Sequence, residues 1–179
     1  MNNHLTRNGK EFTIRRAGEK DAENIINYAK ILFSSTDQVL TTLPEYTITV
    51  EEEKVWINNS LKNPASIILI AEMDNAVVGL LDFSTKNRKK MAHIGEFGVS
   101  VHPGYQGNGI GQKLIETLLE WAKNNRQIEK VFLNVFATNQ RAINLYKKLG
   151  FTEEGRHIKA IKQLSGEYTD IIQMYIETK

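Results

Sequence analysis

The sequence predicts an α/β fold: a single mixed, mostly antiparallel sheet of about seven strands with helices on both faces. Three observations lead there. β-branched runs and helical apolar stripes follow in the order β-α-α-β-β-β-α-β-α-β-β, without internal repeat, linker or low-complexity stretch. An apolar strand runs into a proline–glycine turn and then a helix at residues 99–112. A long hairpin pattern closes the chain after Gly150. With 179 residues, 41% of them hydrophobic and 25% charged, one domain over 1–179 with its own core is expected.

Residues 1–10 are polar and read as a loose leader. Phe12-Thr13-Ile14-Arg15-Arg16 alternates as the first strand. A helix opens at 18–21, and Ala22, Ile25, Ile26, Ala29, Ile31, Leu32 and Phe33 fall mostly on one face. A second helix is expected over 49–60. Thr49 is its N-cap, and Glu51, Glu52 and Glu53 occupy the first turn, where acidic side chains suit the helix dipole. Residues 66–72 and 76–84 form a hairpin about Asp74-Asn75. A charged loop at 85–90 precedes a strand at 91–101. After the glycine turn, Ile110, Leu114, Ile115, Leu118, Leu119 and Ala122 make a stripe of helical period. Val131-Phe132-Leu133-Asn134-Val135 is a further strand, and 140–149 a short helix stopped by Gly150. Residues 151–163 and 167–176 are the closing hairpin.

Composition excludes several classes. The net charge of +2, with no basic patch interleaved with aromatics, gives no reason to expect a nucleic-acid partner. Cysteine is absent, which removes disulfides and thiolate metal sites and fits a reducing compartment. The longest apolar run, 67–71, is too short for a bilayer, and the N-terminal stretch has no signal-peptide core, so a cytoplasmic protein without a membrane partner is expected. His4, His93, His102 and His157 lie far apart, and no metal is expected. Asp37, Glu45 and Asp82 could lend negative charge to an amine pocket, though solvation is the plainer reading of each.

The stretch Val99-Ser100-Val101-His102-Pro103-Gly104-Tyr105-Gln106-Gly107-Asn108-Gly109-Ile110-Gly111-Gln112 carries chemistry. Strand, glycine loop and helix together aim backbone N–H groups at an anion, because a helix N-terminus carries about half a positive charge. A Walker loop needs Lys-Ser or Lys-Thr after its last glycine, and a Rossmann fingerprint needs glycine where Gln112 or Leu114 stands. Both fail. What remains is Gln106-x-x-Gly109-x-Gly111 after Val-x-Pro. Beyond it, Asn139-Gln140-Arg141-Ala142-Ile143-Asn144-Leu145-Tyr146-Lys147-Lys148-Leu149-Gly150-Phe151 is similar to Asn-x-x-Ala-x-x-Leu-Tyr-x-Lys-x-Gly-Phe at every named position. The two motifs, one helix and one strand apart, resemble those of the GCN5-related N-acetyltransferase (GNAT) superfamily. The branch resembled contains small-amine, amino-acid and ribosomal-protein N-acetyltransferases.

The resemblance implies acetyl-CoA as cofactor, with CoA as product. It would be held by Val99, Val101, Gln106, Gly107, Asn108, Gly109, Ile110, Gly111, Gln112, Asn139 and Tyr146. Tyr146 would donate a proton to the departing thiolate; its other reading is packing against Leu145 and Phe151. Asn139 reads equally as a helix N-cap. An acceptor amine with a pKa of about 10 is almost entirely protonated at pH 7, and a carboxylate, directly or through water, can take its proton. Glu96, on the strand before the cradle, is the best-placed one; its other reading is a solvated strand carboxylate. Acetyl transfer to a primary amine of a small molecule or amino acid, by direct attack in a ternary complex, is the expected activity. The alternatives are a protein N-terminal or lysine acetyltransferase and a non-catalytic acyl-CoA sensor. A homodimer is the assembly to test for.

Overall fold

The computed structural model describes residues 2–86 and 88–179, with the backbone alone for Asn2. The strands form one eight-stranded sheet in the order β1-β2-β3-β4-β5-β6-β8-β7. They are β1 (Asn2–Leu5), β2 (Glu11–Arg16), β3 (Ser66–Met73), β4 (Ala76–Thr85), β5 (Ile94–Val101), β6 (Lys130–Phe136), β7 (Thr152–Lys162) and β8 (Tyr168–Glu177). Among the described residues the four α-helices are α1 (Ala22–Phe33), α2 (Val50–Lys62), α3 (Ile110–Asn124) and α4 (Gln140–Lys148). The chain falls into two compact units, Met1–Ser84 with Val99–Leu118, and Thr85–Gly98 with Leu119–Lys179.

The expected element order holds, with one strand more than expected. The stretch read as a loose leader contains β1, which pairs antiparallel with β2 from Asn2↔Ile14 to Leu5↔Glu11. A turn reverses the chain: the Thr6 N–H and hydroxyl both donate to the Lys10 carbonyl, and Gly9 takes φ +79. The His4 ring then lies 5.4 Å from Phe12. A polar edge strand needs no apolar alternation, which is why sequence periodicity does not reveal it.

In the first unit, the β3–β4 hairpin turns at Asp74 and Asn75, both with positive φ (51 and 62). Ile25, Tyr28, Leu32, Ile57, Ile68 and Ile70 are buried together in one core cluster. Ile31, placed on the apolar stripe by sequence, is 46% exposed. Thr49 caps α2 as expected. Its hydroxyl accepts from the Glu52 N–H at 3.2 Å while Glu52 accepts from the Thr49 N–H at 2.9 Å. Gly79 on β4 lets α3 come close, since a Cβ there would lie 3.0 Å from Leu114 Cδ1 and 3.1 Å from Ile110 Cγ2.

In the second unit, β5 and β6 pair in parallel at Ile94↔Lys130, Gly95↔Val131 and Glu96↔Phe132. β6 and β8 are antiparallel throughout, from Lys130↔Glu177 to Phe136↔Ile171. Gly150, at φ +93, ends α4: its N–H donates to Lys147 O, and the Phe151 N–H donates to Tyr146 O. β7 lies at the end of the strand order and is mostly exposed. Its pairing with β8 shifts register twice, between Glu153 and Gly155 and between His157 and Ile161, and Lys159 sits at φ +50.

The clearest electrostatic tie lies at the start of α1. Arg15 donates to both oxygens of Asp21, at 2.7 and 2.8 Å, and also to Glu72. The guanidinium and the Gly18 N–H hold the Asp21 carboxyl below its ordinary value of 3.8. Its contribution to stability is therefore present above pH 3.8 and is lost as pH falls through the lower folded value. Asp21→Asn should cost about 2–3 kcal/mol at pH 7. Its stability should also fall less steeply than that of the wild type below that pH, as thermal melts from pH 7 downward would show.

Candidate active site

Strand, glycine turn and helix follow one another as the sequence implies. β5 ends at Val101, and Pro103–Tyr105 forms a single 3-10 turn. His102 is a turn residue whose Nδ1 accepts from the Gly104 N–H at 3.1 Å. The Gln106 side chain donates to the Val101 carbonyl at 3.2 Å, and the Asn108 side chain to the Tyr105 carbonyl at 3.2 Å. Gly107 and Gly109 take φ +84 and +89, a conformation that disfavours any side chain. Nothing lies within 4 Å of a Cβ built on Gly109. The Lys113 N–H donates to the Gly109 carbonyl, so α3 is hydrogen-bonded from that residue onward. The N–H groups of its first turn have no acceptor within the helix. Ile110 is buried beneath them, and a Cβ on Gly111 would rest 3.4 Å from Val101 Cγ2. The result is an open glycine loop that leads into the exposed first turn of a helix.

The β5 end carrying Val99 and Val101 is tied to α1. The Tyr28 hydroxyl donates to Ser100 Oγ at 2.8 Å, and burial keeps the phenol protonated against the opposite pull of that hydrogen bond. Sequence reasoning did not single out Tyr28, because a tyrosine on an apolar helical stripe reads as core.

Glu96 lies on β5 opposite Phe132 of β6. Its Oε1 accepts from Asn134 Nδ2 at 2.8 Å, and its Oε2 faces Lys86 Nζ at 3.4 Å. Lys86 also lies over the Phe132 ring, 5.7 Å from the centroid. The carboxylate is partly exposed and held by two partners that the sequence did not flag. Asn134 is two residues beyond Phe132 and so shares its face of β6. Lys86 sits in the loop read as merely charged.

Tyr146 projects from α4 and is 7% exposed. Its ring meets Phe97 edge-on at 6.1 Å and Phe151 at 5.9 Å, and burial pushes its phenol up to about 12. Among the described residues its hydroxyl has no hydrogen-bond partner. Phe97 follows Glu96 directly, so the two point to opposite faces of β5. Tyr146 therefore packs on the strand face away from Glu96, and no direct contact joins them. Asn139 caps α4, its Oδ1 accepting from the Ala142 N–H at 3.1 Å. Among the described residues no group of three metal-ligating side chains assembles.

Residues 33–151 match the acetyltransferase (GNAT) family. The chain is 30% identical over 166 residues to L-amino acid N-acetyltransferase AaaT of Escherichia coli (strain K12), covering 92% of this chain and 96% of that protein. It is 27% identical over 126 residues to a spermidine N(1)-acetyltransferase of Vibrio cholerae, covering 70% and 71%. A crystal structure of a GNAT-family acetyltransferase from Streptococcus pneumoniae matches with a TM-score of 0.90 at 27% identity, over 93% of this chain and 99% of that one. The glycine cradle, the capped helix of Tyr146 and the family match across both lead to one assignment: this chain belongs to the GNAT family of acetyltransferases.

Proposed function

We propose that the chain works as one acetyltransferase domain, moving an acetyl group from acetyl-CoA to a primary amine of a small molecule or amino acid by direct attack in a ternary complex. The observation that carries this reading is the cradle. Two left-handed glycines and a first helical turn with spare N–H groups leave the backbone approachable at Gly109, as a pyrophosphate requires. The amino-acid acceptor of the Escherichia coli relative supports a small acceptor. The short β5–β6 ladder, which pairs three residues while β6 runs on to Phe136, fits an extended arm lying alongside as an added strand.

Acetyl-CoA, when bound, supplies an activated acyl group and a thiolate leaving group. The N–H groups of residues 109–112 would hold its pyrophosphate, with Gln106, Gly107 and Asn108 shaping the loop. Val99 and Val101 would offer backbone groups along β5, the Val99 N–H being the oxyanion donor. Asn139 would add a side-chain contact beside its capping role. Tyr146 is suited to the leaving group because its Oη holds a proton across the neutral range and is not engaged elsewhere. Its packing on Phe97 and Phe151 fixes the ring, so packing and acid roles coexist. Glu96 is suited to the amine. Each carboxylate oxygen keeps a lone-pair direction beyond Asn134 and Lys86, and so can accept a proton directly or through one water.

Gly109→Val should weaken acetyl-CoA binding by about tenfold or more in calorimetry, because it forces a β-branched residue into a left-handed conformation and fills the approach. Asn108→Ala should cost less. Unchanged affinity in Gly109→Val would remove the cradle reading. Tyr146→Phe should leave affinity near wild type and lower kcat by about 10²–10⁴-fold. Equal single-turnover rates would leave Tyr146 as packing alone. For Glu96→Gln, the rising limb of kcat/KM against pH should vanish or move upward. In the wild type that limb should stay put between acceptors of different pKa; a limb that follows the acceptor belongs to the substrate instead.

A further inference from the structure

The β1–β2 turn touches the glycine loop. The Arg7 N–H donates to the Asn108 carbonyl at 3.1 Å, and both residues belong to the unit of Met1–Ser84 with Val99–Leu118. The turn that offers this donor is firmly built. The Gly9 N–H donates to the Thr6 carbonyl at 3.0 Å, which places Arg7 and Asn8 at the two central positions. Neither has a positive φ, and Gly9 follows at φ +79, as in a type I turn closed by a left-handed residue. Thr6 is buried, and its hydroxyl accepts from the Lys10 N–H at 2.8 Å. The N–H at the first central position has no acceptor inside such a turn. Here it goes to Asn108.

The Asn108 carbonyl and the Gly109 N–H belong to one planar trans peptide, so they point in opposite directions. Fixing the carbonyl toward Arg7 therefore turns the Gly109 N–H away from the hairpin. Among the described residues that N–H has no acceptor. The loop does not hold this plane by itself. A peptide flips by changing ψ of the residue before it and φ of the residue after it, and a glycine at 109 accepts either sign of φ. Gly107 gives similar freedom on the other side of Asn108. The Asn108 side chain donates to the Tyr105 carbonyl at 3.2 Å, which anchors the side chain but not the peptide that follows it. The bond from Arg7 selects one orientation.

We propose that the β1–β2 turn is a positioning element of the cofactor loop: the Arg7 N–H holds the Asn108–Gly109 peptide in the orientation that presents the Gly109 N–H to a pyrophosphate. The inference rests on the cradle reading and adds to it a segment outside both sequence motifs. Arg7 acts here through its main chain, not through its guanidinium.

Two substitutions separate main chain from side chain. Arg7→Pro removes the N–H and suits the first central position of a type I turn, so the hairpin should survive it. Arg7→Ala keeps the N–H and removes the charge. CoA titrated by calorimetry into the full-length proteins should bind Arg7→Pro about fivefold more weakly than the wild type, and Arg7→Ala within about twofold. With acetyl-CoA the Arg7→Pro loss should appear in KM, with kcat kept. Wild-type affinity in Arg7→Pro would overturn the proposal, and equal weakening in both variants would do so by assigning the effect to the guanidinium. The wild type gives an independent reading. Coupling is reciprocal, so saturating CoA should slow exchange of the Arg7 amide hydrogen, followed by NMR, by the same factor. Unchanged exchange would overturn the proposal even if Arg7→Pro does not fold. Failure of the cradle reads differently, as wild-type CoA affinity in Gly109→Val. Weakened binding in Gly109→Val with none in Arg7→Pro would leave the cradle standing and remove the brace.

Discussion

The approach of α3 to β4 at Gly79 is the contact on which the cradle depends. Ile110 and Leu114 press onto a strand position that has no Cβ, and both are almost fully buried. Ile110 is the first residue of α3, so the packing that seats the helix also fixes where its free N–H groups stand. The loop before it contributes little apolar burial: Gln106 and Gly107 are exposed, and Gly109 has open space around it. Such a loop keeps its place because the helix behind it is anchored.

Charge is distributed unevenly in the same unit. Arg15 answers two carboxylates, Asp21 and Glu72, and ties the first turn before α1 to the sheet. Glu53, one helix further on, receives none. A buried pair satisfied on both sides keeps its charges at less cost than a lone buried carboxyl can.

Features set by neighbouring residues were legible in the sequence. The Thr49 cap, the Asp74-Asn75 turn, the glycine loop and the stop at Gly150 all depend on residues at most a few positions apart, and all stand where expected. What escaped was set by distant partners. β1 exists because a turn returns polar residues to Phe12, with no periodicity of its own. Glu53 looked like one of three acids suited to a helix dipole, yet the Val50–Ile57 face carries it inward. The hint was its spacing of three and four residues from those apolar neighbours. Asn134 and Lys86 gain meaning only once β6 lies beside β5. The opposite facing of Glu96 and Tyr146 follows from strand alternation, and could be read only when Phe97 was seen to hold Tyr146.

The irregular β7 edge has a consequence for the protein at high concentration. A straight terminal strand offers a continuous row of unpaired N–H and C=O groups to any other chain. Here that row is broken by two register shifts and by Lys159 in a left-handed conformation, and Arg156, Lys159 and Lys162 add charge along it. A foreign strand docking there would find no run of partners in step with its own. Resistance to strand-by-strand aggregation is thus written into the very residues that make β7 look poorly formed.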